Sequence, residues 1–220
     1  MKRLRVEYVA NGVVRAQDAS LTVFTTAYSF NRKPLDLGKY SDVDYRLSPE
    51  DLKFIKKCTV KKARVFSRSG PDLLGGAVSH PRDRHFITSP FWSKRLIKRY
   101  RIRKGRKISF GNKTNVHGGT DFRGKKGAPV FAMACGEVAI AEPMYYEGNF
   151  VVIDHGNGVF SHYMHLDGIT VKEGDRVRAG GLIGRVGSTG LSTASHLHVS
   201  LRAQNVYVEP LSILSLPIRE

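Results

Sequence analysis

Long apolar runs are missing from this chain of 220 residues. None approaches the roughly 18 consecutive apolar residues that a membrane-spanning helix needs, and no coiled-coil pattern is present. Cysteine is scarce as well. Cys58 and Cys135 are too few for a disulfide scaffold, lack CxxC spacing, and are expected to stay unpaired. Nor does the opening, MKRLRVEYVANGVV, read as a cleavable leader. It starts basic, but Glu7 and Asn11 break its apolar run and no small-residue cleavage site follows. Either the chain is not exported or its numbering starts after processing; the opening itself leaves both readings standing.

What is present describes a folded, turn-rich protein. Apolar residues make up 41% and charged residues 25%, the balance of a chain that buries a core. Twenty-two glycines and nine prolines point to many turns, as in an all-β protein.

Charge is divided unevenly. Residues 1–115 hold 27 Lys and Arg against 9 Asp and Glu, whereas residues 116–220 hold 9 against 10. All of the net +17 therefore lies in the first half. Its peak is Lys94 to Lys107, KRLIKRYRIRKGRK, where nine of fourteen residues are basic and none is acidic. Three readings follow. The run is a solvated strand or loop, a nucleic-acid surface on which Tyr100 stacks on a base, or a site for another polyanion such as an acidic cell-wall polymer or a lipid head-group surface. The break in composition divides the chain into two units meeting within residues 85–115.

Residues 4–30 alternate loosely through Val6, Tyr8, Leu21, Val23 and Phe24, and are expected to form short strands. Residues 48–57, SPEDLKFIKK, are the best helix candidate. Ser48 caps, Pro49 suits the first turn, and Asp51 stands at the capping-box spacing. Residues 59–67 look strand-like. In the second half, apolar or alternating segments at 128–134, 137–141, 150–154, 159–164, 176–186 and 198–202 are separated by glycine-containing turns. Strands every ten residues or so without intervening helices predict an antiparallel sheet or barrel-like domain.

The chemistry sits in this half. His117-Gly-Gly-Thr-Asp121 puts an imidazole and a carboxylate four residues apart on a glycine-rich loop. His196 and His198 stand at i and i+2, on one face if the segment is a strand. His162 and His165 lie between. Zinc in a catalytic site takes three protein ligands and keeps a fourth position open. Two imidazoles and a carboxylate make such a set, although HxH and HxxxD each occur by chance. On the residues alone, the metal-binding and structural readings both stand.

HGGTDF, followed by GAPVFAMACGEV, resembles the opening motif of the LytM/lysostaphin-type zinc endopeptidases. GNFVVIDHGNGVFSHYMHL, VKEGDRVRAGGLIGRVGSTG, HLHVSL and a closing EPL continue the resemblance in order over residues 108–214. ITSPFWSKR, residues 87–95, is similar to the family's lead-in SPFGxR, with Trp92 in place of glycine. The resemblance implies an all-β, antiparallel peptidase domain with an open groove over residues 86–220, preceded by a small β-rich module over 1–85. It implies one zinc per chain, held by His117, Asp121 and His198, with His165 and His196 as the catalytic histidines. Carried further, it implies hydrolysis of peptide bonds in peptidoglycan, with the D-alanyl–diaminopimelate link the expected target, by a protein that is periplasmic or secreted to the cell envelope. The basic 94–107 stretch is then a site for an anionic envelope polymer, and nucleic acid is an unexpected partner. His162 has no family role and is expected to be structural.

Two rival classes can be named. A non-catalytic peptidoglycan-binding or hydrolase-activating module would lack a complete ligand set, which this chain has. A biotinyl or lipoyl carrier would need a modifiable lysine at a hairpin tip, and the matching turn, GSTG, has none.

Overall fold

The computed structural model describes residues 2–10, 13–21, 28–42 and 47–215. Val23 and Phe24 of the expected N-terminal alternation lie outside these residues. In chain order the elements are β1 (Lys2–Ala10), β2 (Val13–Leu21), β3 (Phe30–Asp36), α1 (Pro49–Phe66), β4 (Ile87–Ser89), β5 (Lys94–Arg103), β6 (Arg106–Val116) and β7 (Thr120–Arg123). There follow β8 (Pro129–Phe131), β9 (Gly136–Met144), β10 (Gly148–Asp154), β11 (Val159–Ile169), β12 (Arg176–Val177), β13 (Leu182–Val186), β14 (His196–Ala203) and β15 (Val206–Val208). A 3₁₀ turn, Pro210–Ser215, closes the described chain.

Ten strands form one antiparallel sheet whose main path runs β12-β9-β10-β11-β14-β7-β4. The expected all-β class holds. The sheet is buried on both faces, which explains why β10 reads FVVI without polar interruption. Val151 and Ile153 face the main core with Phe122, Tyr163, Leu197 and Val199. Phe150 and Val152 face the other way, into a second cluster with Cys58 and Val65 of α1. Cys58 and Cys135 are both free thiols.

The helix begins where the sequence says it should. Ser48 accepts from the Asp51 amide and the Asp51 carboxylate accepts from the Ser48 amide, both at 3.0 Å, with Pro49 in the first turn. It does not stop at residue 57, however, and the strand expected over 59–67 is its second half. β-Branched Thr59, Val60 and Val65 suggest a strand, but local preference for strand is weak. Contacts made at helical spacing outweigh it: Cys58 and Val65, seven residues apart, both reach the back of the sheet. Lys61 pairs with Glu142 and Glu173, and Lys62 with Glu147.

The N-terminal residues are joined to the rest only in part. β1 and β2 form a hairpin of their own. β3 pairs in parallel with β5, making a three-stranded sheet with β6. Val78 bridges Ala134, and the Leu73 amide donates to the His155 carbonyl.

His162 lies under α1. Its ring stacks on Phe66, with centroids 4.8 Å apart, and both ring nitrogens are buried without a hydrogen-bond partner among the described residues. Burial, aided by the nearby Arg202 cation, pushes its pKa down to about 3. An unfolded histidine titrates near 6.5, so between those values the unfolded chain binds the extra proton. Stability from this group is complete above about pH 6.5 and is lost as pH falls toward 3. His162→Leu should therefore flatten the acid limb. In urea unfolding at pH 7 and pH 4.5, the variant's loss between the two should be smaller than wild type's by about 2 kcal/mol. Equal losses would mean that His162 is not buried neutral.

Candidate metal centre

Register builds the site. β7 lies beside β14 with Asp121 directly opposite His198 and Arg123 opposite His196. Opposed residues of an antiparallel pair share a face. β14 turns Leu197, Val199 and Leu201 into the main core, leaving His196, His198 and Ser200 on the opposite face. Ser200 is opposite His162, so this is the face on which α1 sits. The helix covers one end of it and the histidines stand at the other. His117 arrives from the loop before β7, its amide donating to the Ser93 carbonyl. The second glycine of that loop has a steric cause: a Cβ on Gly119 would lie 2.6 Å from His198 Nε2 and 2.2 Å from the Val199 carbonyl oxygen.

Three donor atoms converge. His117 Nε2 is 3.1 Å from Asp121 Oδ1 and 3.1 Å from His198 Nδ1, and His198 Nδ1 is 2.8 Å from Asp121 Oδ1. These are the three residues that could hold a metal ion among the described residues. Tetrahedral zinc, with bonds of about 2.0–2.1 Å, sets its ligand atoms roughly 3.3 Å apart. The donors match that spacing.

The atoms behind them fit as well. His117 Nδ1 lies 3.0 Å from the Pro90 carbonyl oxygen, to which it donates, leaving Nε2 as the lone-pair nitrogen. His198 Nε2 is engaged by Ser200 Oγ at 2.9 Å, leaving Nδ1. Asp121 Oδ2 accepts from Arg95 at 3.0 Å, so the carboxylate presents Oδ1 alone. Burial opposes charge on Asp121, but the His117 and His198 rings beside it prevail and hold its pKa well below the carboxylate range. Burial lowers the pKa of His198, keeping the ring neutral and able to donate a lone pair.

His165 and His196 border this trio, their ring centroids 5.0 Å apart. Each is oriented by a backbone carbonyl at Nδ1: Thr189 at 2.9 Å for His165 and Ala194 at 2.8 Å for His196. Donation from Nδ1 leaves Nε2 as the nitrogen of each ring that is free to act. His196 Nε2 stands 3.7 Å from Asp121 Oδ1. Burial pushes the His165 pKa down to about 4, so it is neutral at pH 7. His165 also has a left-handed backbone, φ 63°, fixed by its amide donating to the Glu147 carbonyl at 2.8 Å. Such a conformation is uncommon outside glycine and persists where surrounding contacts impose it. A cleft of about 590 Å³ leads to Asp121 and His196 between Arg95 and Arg123, with Ser29 and Leu35 on its N-terminal wall.

All five residues singled out in the sequence are thus brought together, and His162 and His155 are kept apart from them. His155 is buried in hydrogen bonds to the Cys135 carbonyl and Ser161. Arg95 is the residue the motifs did not assign. It sat inside a basic run that invited a single collective explanation.

Comparison with known proteins agrees with this geometry. The family description Peptidase family M23 matches residues 115–210. The peptidoglycan DD-endopeptidase ShyB of Vibrio cholerae is 31% identical over 178 residues, 80% of this chain and 38% of that protein. The DD-carboxypeptidase/endopeptidase Mpg of Neisseria meningitidis is 42% identical over 105 residues, 48% of this chain and 24% of that protein. The chain thus spans well under half the length of these relatives. A Pseudomonas aeruginosa crystal structure assigned to peptidase M23 superposes with a TM-score of 0.65 at 25% identity, covering 96% of this chain and 72% of that one.

Proposed function

We propose that the chain, whose residues 115–210 match peptidase family M23, is a zinc-dependent endopeptidase of that family acting on peptidoglycan in the cell envelope. The observation that carries this reading is the convergence of His117, Asp121 and His198 at zinc-ligand spacing beside two carbonyl-oriented histidines. Relatives named as peptidoglycan DD-endopeptidases support the substrate class; within it, this reading takes the D-alanyl–diaminopimelate cross-link as the scissile bond. A cleft bordered by Arg95 and Arg123 suits a substrate rich in carboxylates. No described helix is long and apolar enough to cross a membrane. Residues 1–85 act as an accessory module whose Ser29 and Leu35 extend the substrate cleft. The basic stretch 94–107 meets an anionic component of the envelope.

In this reading His117, Asp121 and His198 hold the zinc, which when bound supplies a Lewis acid toward carbonyl oxygen and water. The remaining duties fall to the chain itself. Hydrolysis must remove a proton from water and deliver one to the leaving amine. His165 enters neutral, and both rings are held at Nδ1 by a backbone carbonyl, so each is placed to exchange a proton through Nε2.

Metal analysis of protein purified without chelator, then reconstituted with zinc, should give one zinc per chain. A content near zero after reconstitution would overturn the reading. Arg95 offers a finer test. Removing a group that orients a ligand typically costs about 10–100-fold in metal affinity. Arg95→Ala should weaken zinc binding by that much, and Arg95→Lys should recover part of it. Unchanged zinc affinity in Arg95→Ala would show that Asp121 needs no such support.

A further inference from the structure

The hairpin of β5 and β6 carries a feature that the peptidase site does not use. Between Asp83 and Asp121 the sequence has no acidic residue. Of its cations, Lys107 pairs with Asp36 and Arg95 with Asp121. Lys98, Arg103, Lys104, Arg106 and Lys113 have no carboxylate partner among the described residues. Beyond Tyr100 the ribbon also leaves the body of the protein: Arg101 to Arg103 and the whole of β6 are exposed. Ile102 is 66% exposed, Ile108 38% and Phe110 37%.

The tip is a tight turn. Lys104 and Gly105 both have positive φ, 47° and 72°, the pattern of a two-residue I′ turn that matches the twist of its strands. Arg103 is opposite Arg106, Arg101 opposite Ile108 and Ile102 opposite Lys107. Each face of the last three rungs therefore mixes a branched apolar side chain with cations.

Charge alone would fit any polyanion, but the apolar residues discriminate. An anionic glycan gives isoleucine nothing to bury against. A nucleic acid would favour stacking, yet Tyr100 is buried and its hydroxyl donates to Asp36 at 2.7 Å. The Phe110 ring is already flanked by the Arg101 guanidinium, 5.5 Å from its centroid. Anionic lipid rewards both features, since cations are drawn to the negative surface and small apolar groups enter the headgroup boundary.

We propose that the tip of the β5–β6 hairpin docks the protein on an anionic lipid surface. Eight residues of strand separate Arg95, at the cleft, from Arg103, near the tip, a span of roughly 27 Å. Docking there holds the cleft within that distance of the membrane. The proposal rests on the envelope location given above, but its test does not depend on peptidase activity.

The test is co-sedimentation with vesicles of phosphatidylglycerol and phosphatidylcholine in equal parts, with pure phosphatidylcholine vesicles and soluble polygalacturonate as the other arms. Wild type should bind the mixed vesicles only, and 0.5 M salt should release it. Reversing two charges, Arg103→Glu with Arg106→Glu, should weaken partitioning by at least about 30-fold. Ile102→Ser with Ile108→Ser, which leaves the charge unchanged, should weaken it by about tenfold. Both pairs are exposed and should leave thermal unfolding and hydrolysis of sacculi unchanged. Absence of vesicle binding would overturn the proposal. So would serine variants that bind like wild type while polygalacturonate competes, because the site would then be one for anionic polymer. Intact vesicle binding without any hydrolysis of sacculi would count against the peptidase reading instead, leaving the docking surface standing.

Discussion

His198→Ala is expected to lose the metal and the activity together. The ring supplies one of three donor atoms within about 3 Å of one another, so two remain after substitution. The change also strips Asp121 of its 2.8 Å partner, leaving a mostly buried carboxylate without one of the two rings that keep it ionised. Lewis-acid assistance by a metal contributes several kcal/mol, so its loss corresponds to on the order of 10³-fold or more in rate. Metal analysis and sacculus hydrolysis should fall in parallel. A variant that keeps stoichiometric zinc would show that His198 is not a ligand.

His165→Ala and His196→Ala should behave differently. Neither ring belongs to the converging trio, and each is oriented by its own backbone carbonyl. Both variants should bind zinc, while each loses at least about 10²-fold in turnover, the lower range for removing a general acid–base or charge-stabilising group. His165 carries a complication, because its φ of 63° is strained for alanine. Asparagine tolerates the left-handed region better, so His165→Asn should fold like wild type and still be slow. If His165→Asn retained near-wild-type turnover, the two-histidine mechanism would be wrong.

Much of the site was readable from the chain because it depends on period-two geometry. HLH at i and i+2 must share a face once the segment is a strand, and β14 is one. The spacing of HGGTD reflects a loop entering a strand whose register sets Asp121 opposite His198. The helix start was readable for the same local reason, since a capping box is contained within four residues. What escaped was non-local. The extension of α1 through Phe66 is decided by contacts of Cys58 and Val65 with strands some eighty residues away. The parallel pairing of β3 with β5 leaves no mark in either segment. Arg95 was hidden by composition: nine cations in fourteen residues look like one feature, while pairing separates Arg95, which faces Asp121, from Arg103 and Arg106 at the tip.

The central claim is tested most directly by incubating the zinc-loaded protein with purified sacculi and separating the released muropeptides after digestion of the glycan strands. The account predicts that cross-linked dimers decline, monomers accumulate in proportion, and chelator stops both. Dimers that persist undiminished beside zinc-replete protein, with no other peptide bond cut, would contradict it.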